Sequence, residues 1–287
     1  MRRLVRCCVL LGLGVLAAPA AEALRIVSTA PSITETLYAL GLGNRVVGVT
    51  MYCTYPAEAR SKPRIGSFLE PDFERILALK PDLVLVITNP IEVTEKLRKL
   101  GLRAEDINQN SIQDILNSLT RIGMLTGTEK RAAALAASLR SELDEVRRSV
   151  AGRPRKSALF LVGRSPDTVQ GMVGAGPGTF IDELMTLAGA DNVLASSPIA
   201  YPKVSLELVL SSNPEVILDM GDFAHVEGHP IEPEAKLVEL WSRYGNLRAV
   251  HSRSVRQVGS EIFIRPGPRM GEAARQLRRM LYGAPGR

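Results

Sequence analysis

Three histidines, three cysteines and one tryptophan in 287 residues leave few groups for acid–base, nucleophilic or metal chemistry. His225 and His229 flank Val226-Glu227-Gly228, a spacing that invites a zinc reading, since zinc sites gather several imidazole or thiolate ligands in a tetrahedron. Gly228 and Pro230 break any helix that would align the pair, and the third histidine is the distant His251, so this segment reads as a solvated loop. Cys53 is the candidate nucleophile, yet no histidine lies near it in sequence, and neither H-E-x-x-H nor G-x-S-x-G occurs. A secreted hydrolase built on Cys53 or a serine stays open, because catalytic groups need only meet in space. No catalytic residue, metal ligand or cofactor is assigned.

Other residues carry binding chemistry instead. Tyr52 lies in Thr50-Met51-Tyr52-Cys53-Thr54-Tyr55-Pro56, where an aromatic on a loop offers a wide apolar contact with a polar tip. Tyr55 is expected to pack beneath Pro56 as structure. Phe68 in Gly66-Ser67-Phe68 and Tyr201 before Pro202 share the loop character of Tyr52. Ser32 follows Pro31 at the start of a helix and can either cap that helix or meet a ligand. Gly174-Ala-Gly176-Pro-Gly178-Thr179 precedes another helix. Its backbone amides could face an anion or carbonyl, or the glycines could simply make a tight turn into Phe180-Ile181. It fits neither a P-loop nor G-x-G-x-x-G, which argues against a nucleotide.

These loops need elements to hold them. With 45% hydrophobic and 23% charged residues, the composition is globular and excludes a disordered, collagenous or disulfide-stapled chain. Residues 1–23 read as a cleavable signal peptide: Arg2, Arg3 and Arg6 precede an apolar run from Val9 to Ala18, and Ala21-Glu22-Ala23 matches the cleavage pattern. That run is shorter than the ~20 residues of a membrane span. Cleavage removes Cys7 and Cys8 and leaves Cys53 without an internal disulfide partner. It also takes the formal charge from +6 to +4, with no Lys/Arg run to suit nucleic acid. Neither Cys7 nor Cys8 follows the small residues that lipoprotein processing needs. The expectation is a monomeric, unanchored protein of the periplasm.

The rest of the chain repeats itself. Glu74-Arg-Ile-Leu-Ala-Leu-Lys-Pro81-Asp-Leu-Val-Leu-Val-Ile87 resembles Glu207-Leu-Val-Leu-Ser-Ser-Asn-Pro214-Glu-Val-Ile-Leu-Asp-Met220. Each copy reads as a short helix, a proline stop and a continuous apolar run suited to a strand buried on both faces of a parallel sheet. Glu35-Thr-Leu-Tyr-Ala-Leu-Gly41 likewise resembles Glu183-Leu-Met-Thr-Leu-Ala-Gly189, a helix ending at a glycine able to take the left-handed C-cap. Strands are expected at Arg25–Thr29, Val46–Val49, Ala158–Val162 and Val193–Leu194. Between the copies, Thr128 to Val150 lacks Gly and Pro and repeats Leu135, Leu139, Leu143, Val146 and Val150 at helical spacing. Such a helix spans roughly 35 Å. The fold class is therefore α/β: two Rossmann-like lobes with parallel-type sheets (24–127 and 152–287), bridged by one long helix (128–151) that permits little lobe closure.

Arg25-Ile-Val-Ser-Thr-Ala-Pro-Ser-Ile-Thr-Glu, Val-Val-Gly-Val with Tyr-Cys-Thr-Tyr-Pro, and Phe-Glu-Arg-Ile-Leu-Ala-Leu-Lys-Pro-Asp resemble the helical-backbone class of ABC-importer substrate-binding proteins. Tyr-Pro-Lys-Val-Ser-Leu-Glu and Ala-Gly-Ala-Asp-Asn-Val in the second copy fit as well, and the vitamin B12-binding branch is the most similar. The resemblance implies a receptor that holds a corrinoid between its lobes and hands it to an importer's permease and ATPase. It also implies ligand contacts from Tyr52, Phe68, Tyr201 and Glu261, with Ser32 a further polar candidate, and permease docking through Glu74 and Glu207. Phe68 and Tyr201 stand where that branch has Trp, and Ile87 and Val162 occupy two further aromatic positions, so the aromatic clamp is thinned. Haem or a ferric siderophore is the alternative ligand. Haem-binding relatives use a Tyr near the position of Phe68, whose ring cannot ligate iron, which leaves Tyr52 as the substitute.

Overall fold

Four parallel strands, β1 (Ile26–Ser28), β2 (Val46–Val49), β3 (Leu83–Ile87) and β4 (Ala104–Ile107), form the first sheet in the order β2-β1-β3-β4. Helices α1 (Pro31–Ala39), α2 (Phe73–Ala78) and α3 (Val93–Lys99) connect them. The computed structural model describes residues 24–88, 91–222, 232–259 and 261–283, so residues 1–23, expected to be a signal peptide, and the segment with His225 and His229 lie outside the described residues. Along β3 the pleat sends Leu83 and Leu85 into one core with Ile26, Ile33 and Leu37, and Val84 and Val86 into a second core with Val27, Ile76 and Leu97. Two covered faces are what the unbroken apolar run required.

Helix α4 (Ile112–Thr126) starts from a capping box between Ser111 and Asp114 and ends at Gly127, whose φ of 68° is left-handed. Helix α5 (Glu129–Val150) follows. Its Ala132 is buried in the first lobe's core, whereas Ala136, Leu139, Leu143 and Val146 belong to the second lobe's core. One rigid helix is thus built into both hydrophobic cores. Thr128 stands at its N-cap, but its hydroxyl pairs with that of Thr126 at 2.9 Å and caps nothing; Glu129 supplies the favourable first-turn charge.

The second lobe contains β5 (Lys156–Gly163), β6 (Met172–Gly174), α6 (Phe180–Leu187), β7 (Ala190–Asn192), β8 (Lys203–Val204), α7 (Leu206–Ser212) and β9 (Val216–Asp219). It continues through α8 (Glu234–Ser242), α9 (Arg248–His251), β10 (Val255–Gln257) and α10 (Met270–Tyr282). The strand order is β10-β9-β5-β6-β8, with β7 also paired to β5. This sheet is mixed: β7, β9 and β10 run parallel in it, but β6 is antiparallel to both β5 and β8. The chain returns from β5 to β6 without a crossover helix, and so short a return produces an antiparallel pair. The strand expected at Val193–Leu194 lies one step earlier. Asn192 ends it, because its side chain donates to Ala175 O and Asp182 and accepts from the Leu194 amide.

A buried polar knot sits at the ends of β5 and β9. Arg164 Nε donates to Asp219 Oδ2 at 3.1 Å, the Trp241 indole donates to the same oxygen at 2.9 Å, and the Gly221 amide donates to Asp219 Oδ1 at 2.7 Å. Glu232 binds the other end of the Arg164 guanidinium.

Candidate ligand-binding cleft

Strand ends of both lobes open onto a shared crevice, as open α/β sheets favour. One part, a cavity of about 230 Å³, is lined from the first lobe by Ala30, Pro31, Ser32, Tyr52, Phe68 and Ile87 and from the second by Glu261, Ile264, Arg265 and Pro266. The other part, about 500 Å³, is lined by Ile87, Thr88, Gln109 and Asn110 across from Val162, Gly178 to Ile181, Ala200, Tyr201, Phe263, Ile264 and Pro266. Ile87, Ile264 and Pro266 belong to both, so the two cavities adjoin in one cleft.

The five residues singled out as ligand contacts all line this cleft. Tyr52, half-buried, and Phe68, 40% exposed, line the smaller cavity from the first lobe; Tyr201 is 48% exposed at the larger one. Desolvation at its hydroxyl pushes the Tyr201 phenol above its ordinary pKa. Phe180 and Phe263, both buried, border the larger cavity from the second lobe's core. The Phe263 ring lies tilted against that of Phe160, with centroids 5.7 Å apart.

Ser32 does not cap α1. Ala30 occupies the N-cap with no side-chain bond, and Pro31 fills the first helical turn. The Ser32 hydroxyl instead donates to Gln109 Oε1 at 2.6 Å, and Gln109 Nε2 donates to Ser118 at 3.1 Å, which ties the cleft floor to α4. The glycine turn proves to be both a tight turn and a wall of the cleft. Thr179 caps α6 by accepting from the Asp182 amide, and a side chain at Gly176 would meet Ile199 O at 2.9 Å.

The floor of the cleft carries a charge cluster that joins the lobes. Glu35, whose side chain is 1% exposed, accepts two bonds from Arg269 of the second lobe, at 2.5 and 2.7 Å. Burial pushes the Glu35 carboxyl above its ordinary pKa, and the two nearby guanidiniums pull it partly back. Arg265 lies 3.8 Å from Glu35, pairs with Glu261 at 2.6 Å, and donates to Thr54 Oγ1 at 3.1 Å and Tyr52 O at 3.0 Å. Tyr55 is 48% exposed, and the Arg269 guanidinium of the second lobe lies over its ring at 4.1 Å, a cation–π contact across the lobe boundary. Glu183, the repeat counterpart of Glu35, also reaches across the boundary and accepts from the Ile112 amide at the start of α4 at 2.6 Å.

Cys53 is wholly buried beneath the cleft. Its sulfur contacts the hydroxyls of Thr34 at 3.2 Å and Thr50 at 3.1 Å, and burial pushes the thiol above its ordinary pKa. A thiol held neutral and out of reach is the opposite of an activated nucleophile. The described histidine, His251, sits away on α9. Glu74 and Glu207 lie outside the cleft, exposed in the first turns of α2 and α7, which are capped by Asp72 and Ser205.

A family model described as periplasmic binding protein matches residues 26–255. The chain belongs to the periplasmic binding protein family. The chain is a substrate-binding protein, not an enzyme, which disposes of the hydrolase alternative. A vitamin B12-binding protein of Vibrio cholerae is 29% identical over 278 residues, 96% of this chain and 95% of that one. The crystal structure of the periplasmic vitamin B12 binding protein BtuF of Vibrio cholerae superimposes with a TM-score of 0.76 at 29% identity, covering 90% of this chain and 96% of that one. The periplasmic heme-binding protein RhuT from Roseiflexus sp. RS-1 gives the same TM-score at 26% identity, over 91% and 98%. The two α/β lobes are thus a family architecture shared by members named for different ligands.

Proposed function

We propose that this protein captures a corrinoid in the inter-lobe cleft and delivers it to an ABC importer from the periplasm. The observation that carries the reading is the pair of aromatic walls, Tyr52 and Phe68 from one lobe and Tyr201 from the other, which suits a broad amphipathic ring system. The near full-length similarity to vitamin B12-binding proteins supports corrin over other chelates. Haem is the competing ligand, since a haem-binding relative shares the fold. The Phe68 ring in the cleft lining carries no donor atom for iron, which disfavours haem ligation at that wall. Glu74 and Glu207, exposed at equivalent places of the repeat, are the carboxylates that would dock a two-fold permease. Calorimetric titration with cyanocobalamin, and with haemin as the comparison, tests the ligand. One-to-one binding of cyanocobalamin alone is expected; binding of haemin alone would move the assignment to haem.

A further inference from the structure

The loop from Thr50 to Tyr55 carries Tyr52 into the cleft, yet its backbone is held from two directions. From its own lobe, Arg64 donates to Thr50 O at 2.9 Å and Cys53 O at 3.0 Å. From the other lobe, Arg265 takes Tyr52 O and Thr54 Oγ1, and Arg269 covers the Tyr55 ring. The segment that carries these two arginines is pressed against the first lobe: an added Cβ at Gly267 would lie 3.4 Å from Ser32. Arg265 lines the cavity, but Arg269 lines neither part of it.

We propose that Arg269 is a positioning residue for ligand binding, acting with Arg265 as a two-arginine staple by which the second lobe fixes the Tyr52 loop of the first. This rests on reading the cleft as the ligand site. The cluster holds two carboxylates, Glu35 and Glu261, and two guanidiniums, so each cation has a task defined by its neighbours. Arg269 satisfies the buried Glu35 with a bidentate pair. That leaves Arg265, 3.8 Å from the same carboxylate, free to spend its donors on Tyr52, Thr54 and Glu261. Without Arg269 the unpaired Glu35 draws Arg265 toward itself and away from the loop, because a buried charge without a partner is costly. Lysine cannot replace the arrangement, since one ammonium lacks the fork that binds both carboxylate oxygens while lying flat on Tyr55.

The test compares wild type with Arg269→Gln, Arg269→Lys and the double variant Glu35→Gln/Arg269→Gln. The double variant removes the buried unpaired charge and so keeps the fold intact if Arg269→Gln alone does not fold. Two readouts are taken: amide hydrogen exchange of residues 50–56 in the free protein, and cyanocobalamin affinity. In Arg269→Gln, exchange in 50–56 should quicken while the β3 and β9 amides keep wild-type protection; in the double variant, where no buried charge draws Arg265 away, exchange in 50–56 should quicken less, through loss of the Arg269–Tyr55 contact alone. The cyanocobalamin Kd should rise by about tenfold, the equivalent of one well-placed hydrogen bond, with Arg269→Lys between. Unchanged exchange in 50–56, an unchanged Kd, or a uniform loss of protection across both lobes would each overturn the staple. If wild type itself ignores cyanocobalamin, the corrinoid reading falls, and the exchange measurement alone still decides the staple.

Discussion

Asp219 is the residue whose loss the structure prices most closely. It is fully buried and receives three donors, from Arg164, Trp241 and the Gly221 amide. Asparagine has the same shape but only one acceptor oxygen, so whichever way the amide turns, an NH₂ group confronts at least one of those donors. The substitution also leaves Arg164 balanced by Glu232 alone. Breaking one side of a buried ion pair costs about 3–5 kcal/mol, and in a protein of this size that lowers Tm by about 10 °C. Trp241 is the single tryptophan of the chain, and its indole donates directly to Asp219, so its fluorescence reports the site without a label. Thermal melts of Asp219→Asn followed by tryptophan emission should show that drop together with an altered folded-state spectrum. A Tm within 2 °C of wild type would refute the claim that the carboxylate's charge organises the ends of β5 and β9.

Three further outcomes are expected. Because burial raises the Glu35 carboxyl, the stability it contributes is full below its unfolded value and is lost as pH rises through its folded value. Glu35→Gln should therefore gain in Tm relative to wild type as pH is raised from 4.5 to 7, with Arg269, Arg265 and Glu261 facing the site; a gap that does not change with pH would contradict this. Cys53 should resist an aromatic disulfide reagent at pH 8 in the native protein and react fully in denaturant, since its raised pKa and burial both suppress the thiolate; rapid native labelling would refute its placement. Glu74→Ala with Glu207→Ala should abolish corrinoid uptake by cells while leaving the cyanocobalamin Kd at the wild-type value, and a fall in affinity would remove both residues from the docking role.

The parts of the fold that were legible in the sequence are those whose signal is local. The apolar runs at Leu83–Ile87 and Val216–Asp219 had to be covered on both faces, and the glycine-free stretch before Val150 could only be a helix. The reading went astray where a side chain's partner is remote. Ser32 sits at a helix start, where capping is the local expectation, but its hydroxyl finds Gln109, 77 residues on. Tyr55 beside Pro56 gave no hint of Arg269, and Glu35 and Arg269 are 234 positions apart. Nothing in composition or periodicity joins such residues; the tertiary fold of the first lobe brings Ser32 to Gln109, and the docking of the two lobes brings Arg269 to Tyr55 and Glu35. The antiparallel turn of β6 was hidden for a related reason, since a strand as short as Met172–Gly174 carries no pattern long enough to declare its direction. The cleft aromatics Tyr52, Phe68 and Tyr201 were legible because they stand on loops, whereas Phe180 and Phe263 belong to the second lobe's core behind the cleft.

The central claim is that a corrin ring lies between the aromatic walls of the two lobes. A crystal structure of the protein grown with cyanocobalamin tests it most directly. The account predicts the corrin between Tyr52 and Phe68 on one side and Tyr201 on the other, with the Arg265–Glu35–Arg269 cluster unbroken beneath it. Cobalamin bound elsewhere, or a cleft without it at saturating concentration, would contradict the account.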